Sequence, residues 1–268
     1  MKCIFCEADT SNSKSVEHII PESLENKDHV LPVSLVCDKC NNYFAVKVEK
    51  PLLESAYFTQ LRQRQGIMNK KGRLPAIRAI FPSLQTSADI WFDGNRIHFA
   101  GDAEEHTKKI EEGIVSGKAT SLLFEHSTKP TDKKSVSRFL AKVSIEALVA
   151  RLLKLESWQD AFFKDEQISA LRYYARRGDK PNFWPFHERQ LYPEDQLHRN
   201  KNEVYQVLHE WDFLYTQNRE MYCVVCIFGR EFAFNLGGPD CSGYVTWLSE
   251  NDHASPLYTS GEEQKDSQ

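Results

Sequence analysis

Apolar residues recur with two different periods along this chain of 268 residues. Between residues 134 and 154 they recur every three or four positions, a spacing that predicts an amphipathic helix. A second helix is predicted over about 159–177, where two arginines and a glycine end the pattern. Three apolar stretches near the C-terminus predict an antiparallel meander: 203–214, 220–228 and 230–236.

A β-hairpin is predicted earlier in the chain. Residues 88–100 alternate between apolar and polar side chains around the turn sequence Asp93-Gly94-Asn95. By contrast, residues 178–202 are rich in proline, asparagine and charge, and predict a loop. Helices and antiparallel strands share the chain, which predicts an α+β fold for the part after the N-terminal segment.

The first 50 residues have a different pattern, with short apolar stretches between turns. Residues 16–20 predict a strand that Pro21 ends, and residues 30–36 predict a second strand. Apolar residues at positions 44, 48 and 52 predict a helix that begins near Asn41. The predicted order is therefore strand, strand, helix, in a segment too short to build a core of its own.

Composition excludes two classes of protein. The longest apolar run, Met221–Phe228, is far shorter than a membrane-spanning helix. The first ten residues contain two acidic side chains and no apolar stretch typical of a secretory signal. We therefore expect a cytoplasmic protein without a membrane partner.

Four of the seven cysteines form two pairs with the spacing of zinc ligands. Cys3 and Cys6 form the first Cys-x-x-Cys pair, and Cys37 and Cys40 form the second. Two such pairs predict a tetrahedral four-thiolate Zn²⁺ site, whose bonds replace a hydrophobic core. The other three cysteines, two of them inside an apolar run, are expected to pack in the core.

Between the two cysteine pairs lies the sequence Glu-His-Ile-Ile-Pro, at residues 17–21, and an asparagine directly follows the second pair. In this order the motifs resemble the HNH endonuclease family, in the branch that carries a four-cysteine structural zinc. The resemblance covers about residues 1–50 and implies a ββα-metal fold for them. Two positions differ from many members: Glu25-Asn26 stands in place of Gly-Gly, and Ala45 in place of glycine.

The resemblance implies metal-dependent hydrolysis of DNA phosphodiester bonds. His18 would be the general base that takes a proton from the attacking water, since histidine gains and loses a proton near neutral pH. Glu17 and Asn41 match the positions that hold one catalytic divalent ion, and their oxygen atoms suit Mg²⁺ or Mn²⁺. The zinc would be structural, because four thiolates leave no open coordination position. Asn41 could alternatively cap the helix.

Many members of the family have a central asparagine nine residues before the position that Asn41 matches. In this chain Pro32 stands there, and its side chain cannot form hydrogen bonds. Asn26, His29 and Ser34 are the neighbouring candidates for the role of that asparagine, and all three stay open. His29 is also a candidate for phosphate contact or for support of the metal site. Asn42 is a further candidate for a supporting role.

Charge is unevenly distributed along the chain, whose net charge is −4. Residues 47–80 hold eight basic and two acidic residues, a net charge of +6. Such a stretch is either a solvated helix face or a phosphate-binding surface, and the nuclease motif before it favours the second interpretation. Seven residues are the candidates for nucleic-acid contact: Lys47, Lys50, Arg62, Arg64, Lys70, Lys71 and Arg73.

We divide the chain into an HNH module at 1–50, an α+β domain at 51–255 and a polar tail at 256–268 that we expect to be disordered. The second domain is a candidate for DNA positioning, target choice or dimerisation, and one site per chain would favour a homodimer for cutting both strands. Two other functions stay open. One is a non-catalytic zinc-ribbon module that binds nucleic acid or protein, and the other is a nuclease directed at RNA.

Overall fold

The computed structural model describes residues 1–69, 71–93, 95–200 and 203–258, and its contacts divide the chain into two compact units. The first unit comprises Met1–Glu22, Asn26–Glu49 and Lys134–Gln268. The second comprises Ser23–Glu25 and Lys50–Lys133. The N-terminal segment thus shares a compact unit with the C-terminal half of the chain, and the middle of the chain forms the other unit.

The N-terminal segment has the predicted order of strand, strand and helix. β1 (Glu17–His18) pairs antiparallel with β2 (Val30–Leu31), and α1 (Asp38–Phe44) follows. A wider π-helical turn, Ala45–Glu49, then leads into α2 (Lys50–Leu53). Both strands are shorter than predicted, because a proline follows each of them within three residues and cannot donate to a strand ladder.

The second unit is built on a four-stranded antiparallel sheet. Its remaining elements are α3 (Ala56–Arg64), β3 (Ile77–Phe81), β4 (Thr86–Phe92), β5 (Ile97–Gly101), α4 (Glu104–Val115) and β6 (Leu123–Phe124). The strand order is β5-β4-β3-β6, so β4 and β5 form the predicted hairpin. Ile110 of α4 packs against Phe81 and Ala88, which closes a small apolar core over one face of this sheet.

The C-terminal half contains the larger core. Its helices are α5 (Lys133–Leu152), α6 (Trp158–Lys164), α7 (Glu166–Arg177) and α8 (Ser242–Glu250). Its strands are β7 (Phe186–Gln190), β8 (Leu197–Asn200), β9 (Glu203–Gln206), β10 (His209–Tyr215), β11 (Met221–Ile227) and β12 (Arg230–Asn235). One antiparallel sheet has the order β10-β11-β12-β7, and β8 pairs with β9.

Two predictions for this half are wrong in detail. The helix predicted over 159–177 is two helices, because the side chain of Asp165 accepts hydrogen bonds from the Gln167 and Ile168 amides and starts α7. The stretch predicted as a loop, 178–202, contains β7 and β8. β7 forms because β12 offers it a complementary edge, a contact that no local pattern shows.

β11 lies in the middle of the core and is apolar throughout, as predicted. Tyr222 and Val224 pack against Tyr244 and Leu248 of α8 on one face. On the other face Cys223 is fully buried, and this burial raises the pKa of its thiol to about 12. The strand is therefore buried on both faces, and α5 buries more than its predicted apolar stripe.

The α+β fold class is confirmed by this combination of helices and antiparallel sheets. Within the described ranges, no helix has both the length and the apolar character needed to cross a membrane. Of the predicted tail, 256–258 are described, next to a buried Ser255 that donates to Glu231. Residues 259–268 lie outside the described residues.

Candidate active site

The four predicted zinc ligands come together in one cluster. The Sγ atoms of Cys3, Cys6, Cys37 and Cys40 all lie within 4.8 Å of one another, and Cys6 Sγ lies 3.6 Å from Cys37 Sγ. A tetrahedral site with Zn–S bonds of about 2.3 Å places neighbouring sulfurs about 3.8 Å apart. The cluster therefore has the dimensions of a four-thiolate zinc site.

Local backbone structure prepares the sulfurs for a cation. The Cys37 amide donates to Cys3 Sγ, and the Cys40 amide donates to Cys37 Sγ, both at 3.4 Å. A hydrogen bond from the Cys40 thiol lowers the pKa of Cys3 to about 4 and correspondingly raises that of Cys40, while burial raises the pKa of Cys37. A cation bound among the four sulfurs would favour the thiolate form of each, because opposite charge nearby stabilises an ionised group. This donor set fits Zn²⁺.

The second cysteine pair also sets the start of α1. Cys37 is the residue that caps the helix, because its sulfur accepts from the Cys40 amide, and the helix begins at Asp38. The prediction that it begins near Asn41 is therefore wrong by one turn, and Asn41 is not its cap. Its side chain is instead available for another contact.

That contact joins α1 to β1. Asn41 Nδ2 donates to the carbonyl oxygen of Val16 at 2.9 Å, immediately before Glu17 and His18. This bond uses the side-chain nitrogen of Asn41, so the two lone pairs of Oδ1 take no part in it. The three candidate catalytic residues are thus tied to one short stretch of structure.

Glu17 and His18 differ in their surroundings, as neighbouring strand residues should. Glu17 is buried, whereas His18 is half-buried. Glu17 Oε2 and His18 Nδ1 are both inaccessible and have no hydrogen-bond partner among the residues that the structure describes. A carboxylate oxygen without a protein partner is what a cation ligand at Glu17 requires, so this residue fits the implied divalent ion.

The other oxygen of Glu17 meets a residue that sequence analysis missed. Lys142 of α5 is fully buried, and its Nζ lies 2.7 Å from Glu17 Oε1. The same Nζ lies 2.7 Å from Glu49 Oε1 and 3.0 Å from Glu146 Oε2. It also donates to the carbonyl oxygen of His18 at 2.8 Å. One ammonium therefore contacts three carboxylates and the backbone of the candidate base.

Burial and charge act against each other in this cluster. Burial raises the pKa of Glu17, and the Lys142 ammonium opposes that rise. Burial, and then repulsion from Glu17, raise the pKa of Glu146 well above its usual range. Burial alone would lower the pKa of Lys142, but the carboxylates, Glu146 foremost, raise it well above the ordinary lysine value. Lys142 is therefore charged, and it favours the ionised form of Glu17.

A buried asparagine stabilises the loop between β1 and β2. Asn26 Nδ2 donates to the carbonyl oxygens of Ile20, at 2.6 Å, and His29, at 3.0 Å. Its Oδ1 accepts from the amides of Asp28, at 3.2 Å, and His29, at 2.9 Å. Of the three candidates for the place of the central asparagine, Asn26 is completely buried, whereas His29 and Ser34 are half-buried.

His29 and Asn42 are the two candidates for a supporting role. Neither is among the residues that Lys142 contacts. The ring of His29 packs edge-on against His209 and Trp211, with centroids 5.8 and 6.1 Å away. Burial lowers the pKa of His29. Asn42 is exposed on α1.

The predicted nucleic-acid contacts divide by exposure. Five of these residues are exposed: Lys47 in the first unit, and Lys50, Arg64, Lys71 and Arg73 in the second. Arg62 is buried in α3, and this burial lowers its pKa, so it is poorly placed for phosphate contact. Lys70 lies outside the described residues.

Comparison with known proteins gives one match. Residues 3–56 match a family model described as HNH endonuclease. The matched range includes both cysteine pairs, β1, β2 and α1, which confirms the resemblance seen in the sequence. No curated protein and no solved structure matches the chain.

Proposed function

We propose that this chain, whose residues 3–56 match a family model described as HNH endonuclease, is a metal-dependent endonuclease that hydrolyses DNA. The observation that carries the proposal is the hydrogen bond from Asn41 to Val16, which ties α1 to the strand bearing Glu17 and His18. A module that only binds nucleic acid has no need of an asparagine held against the backbone next to a Glu-His pair. This arrangement favours catalysis over the zinc-ribbon alternative.

In this proposal His18 is the general base. It accepts a proton from the water that attacks phosphorus, and the 3′ oxygen leaves, so that the products carry 5′-phosphate and 3′-hydroxyl ends. Glu17 and Asn41 hold Mg²⁺ or Mn²⁺, which supplies positive charge for the phosphate and the leaving oxygen. Glu17 keeps its second oxygen for this purpose, because Lys142 takes only Oε1.

The remaining roles follow from position and charge. The four-cysteine zinc holds the module together and takes no part in hydrolysis. Asn26 takes the place of the family's central asparagine, because its side chain holds the loop between β1 and β2. The exposed basic side chains of Lys47, Lys50, Arg64, Lys71 and Arg73 contact phosphates. A reducing compartment such as the cytoplasm suits these thiolates, and a homodimer would let one site per chain cut both strands.

Cleavage of supercoiled plasmid by the zinc-loaded protein tests the proposal. The protein is dialysed free of other divalent ions, and Mg²⁺ or Mn²⁺ is then added back, because a chelator would remove zinc as well. We expect nicking or linearisation that needs the added ion and that His18→Ala abolishes. His126→Ala, at an exposed histidine of the second unit, is the matched control and should cut like the wild type.

Each alternative has its own result. Cleavage that persists in His18→Ala would refute the mechanism. Binding without cleavage of plasmid, linear duplex or single-stranded DNA would support the zinc-ribbon module. Cleavage of RNA but not DNA would support the RNA-directed nuclease. Products that a ligase cannot rejoin would contradict the proposed ends.

A further inference from the structure

Lys142 is the buried residue that the mechanism above leaves without a role. Its side chain is fully buried, although lysine is among the residue types least often buried. Its ammonium lies between β1, the π-helical turn after α1, and its own helix α5. We propose that Lys142 is a positioning residue of the nuclease site, one that fixes Glu17 and His18 for their work on metal and water; this inference rests on the proposed function.

The strand that carries both residues is too short to hold itself in place. β1 has two residues and pairs only with the two residues of β2. Beyond that pairing, the Ile19 amide donates to the carbonyl oxygen of His29. Such a short ladder gives little resistance to twisting or sliding. A residue from elsewhere in the chain is needed if two side chains on it are to keep fixed positions.

Lys142 holds the strand at two adjacent residues, Glu17 and His18. It contacts the side chain of Glu17 at 2.7 Å and the backbone carbonyl of His18 at 2.8 Å. The first contact sets the rotamer of the carboxylate, and the second sets the peptide from which the imidazole projects. No hydrogen bond to a described residue orients His18 through Nδ1, so the direction of its ring depends on its backbone.

The two other carboxylates hold the lysine itself. Glu146 lies one turn further along α5, and Glu49 approaches from the π-helical turn. Both carboxyl groups contact Nζ, at 2.7 Å for Glu49 and 3.0 Å for Glu146, so the ammonium is held by two elements besides the strand. Glu17, Glu49 and Glu146 therefore share one ammonium, and the group that holds Glu17 is itself held by two other side chains.

A merely structural ion pair would predict a different pattern of effects. It would lower stability when broken but would leave metal affinity unchanged in any variant that still folds. A positioning residue would change metal affinity and the catalytic rate together. The test therefore needs a metal-binding measurement that does not depend on cleavage.

The experiment uses the full-length zinc-loaded protein with two variants and one control. Lys142→Met removes the ammonium and keeps most of the chain length. Because this leaves Glu17, Glu49 and Glu146 without their shared ammonium, Lys142→Met/Glu146→Gln is made as well, which removes one of these carboxyl groups together with the ammonium. Ser137→Ala is the control: this buried serine of α5 bonds to Tyr174 and Trp184 and does not contact the site.

Mn²⁺ binding is measured without DNA by electron paramagnetic resonance, and cleavage is measured separately at saturating DNA. We expect the folded double variant to bind Mn²⁺ at least tenfold more weakly and to cut at least tenfold more slowly, with little change in KM for DNA. Ser137→Ala should lose stability and keep both properties. A double variant within twofold of wild type in Mn²⁺ affinity and rate would overturn the inference alone. A wild-type protein that neither binds Mn²⁺ nor cuts would overturn the proposed function and, with it, this inference.

Discussion

The buried side chain of Asn26 bonds to both ends of the loop between β1 and β2, and its removal gives a sharp test of how the site is built. Asn26 is completely buried and makes four hydrogen bonds to backbone groups of Ile20, Asp28 and His29. Asn26→Ala would leave two carbonyl and two amide contacts without this partner. We expect the substitution to destabilise the first unit and to loosen the segment that joins the two strands.

The size of the effect follows from the contacts. A hydrogen bond contributes about 1 kcal/mol net, so four give about 4 kcal/mol as an upper estimate. Only the bond to Ile20 is fully buried, and water can replace part of the other three. The expected loss is therefore about 3 kcal/mol. For a unit of this size, that corresponds to a fall in Tm of roughly 6–12 °C.

Urea unfolding followed by tryptophan fluorescence measures this loss. Four of the five tryptophans belong to the first unit, so the signal reports mainly on it. Asn42→Ala, at an exposed position of α1, is the control and should change the unfolding free energy by less than about 0.5 kcal/mol. Zinc content is measured in both variants, to separate loss of the loop from loss of the metal.

A second substitution separates the donors of Asn26 from its acceptor. Asn26→Asp keeps an oxygen that can accept from Asp28 and His29, but its carboxylate would face two carbonyl oxygens. It should destabilise at least as much as alanine at neutral pH. If Asn26→Ala lies within about 1 kcal/mol of wild type, or if aspartate is tolerated, the reasoning about this loop is wrong.

Three further predictions concern other parts of the molecule. Cys40→Ser should lose the bound zinc, as measured by elemental analysis. The variant should also lose much of the roughly 10–16 kcal/mol of folding free energy that a structural zinc contributes. Retention of a full equivalent of zinc would contradict the four-thiolate site. Arg73→Ala should reduce the salt dependence of DNA binding by about one phosphate contact, whereas the buried Arg62→Ala should lower stability without changing that slope in a binding titration. Burial lowers the pKa of His187, so the neutral form is favoured in the fold, and stability should fall as pH drops below the unfolded value of about 6.5. His187→Gln should remove that part of the pH dependence of the unfolding free energy, measured by urea unfolding. If the pH dependence is unchanged in this variant, His187 is not its source.

The sequence predicts the elements whose signal is local. Paired cysteines specify their own cluster, and the apolar repeat of α5 and the continuous run of β11 are each visible within one window. β7 escapes prediction because its sequence, Phe-His-Glu-Arg-Gln, has little strand character of its own and is held by pairing to β12. The start of α1 is misplaced for a similar reason, since a cysteine sulfur caps the helix and ordinary capping preferences do not include it.

In the candidate site, too, the sequence predicts the residues that belong to a local motif and misses the one that comes from a distant element. Glu17, His18 and Asn41 are recognisable because of their places relative to the cysteine pairs: the first two lie between the pairs, and Asn41 directly follows the second pair. Lys142 is not recognisable, because a lysine and a glutamate four residues apart on a helix ordinarily form an exposed pair. Only the fold shows that α5 is buried on all sides at this point and that the lysine meets a strand 124 residues earlier in the chain. The motif thus supplies the candidate catalytic residues, while the ammonium that contacts Glu17 comes from the C-terminal half. A truncated N-terminal segment would keep every motif residue and still lack that support, so the two parts of the chain have to be considered as one site.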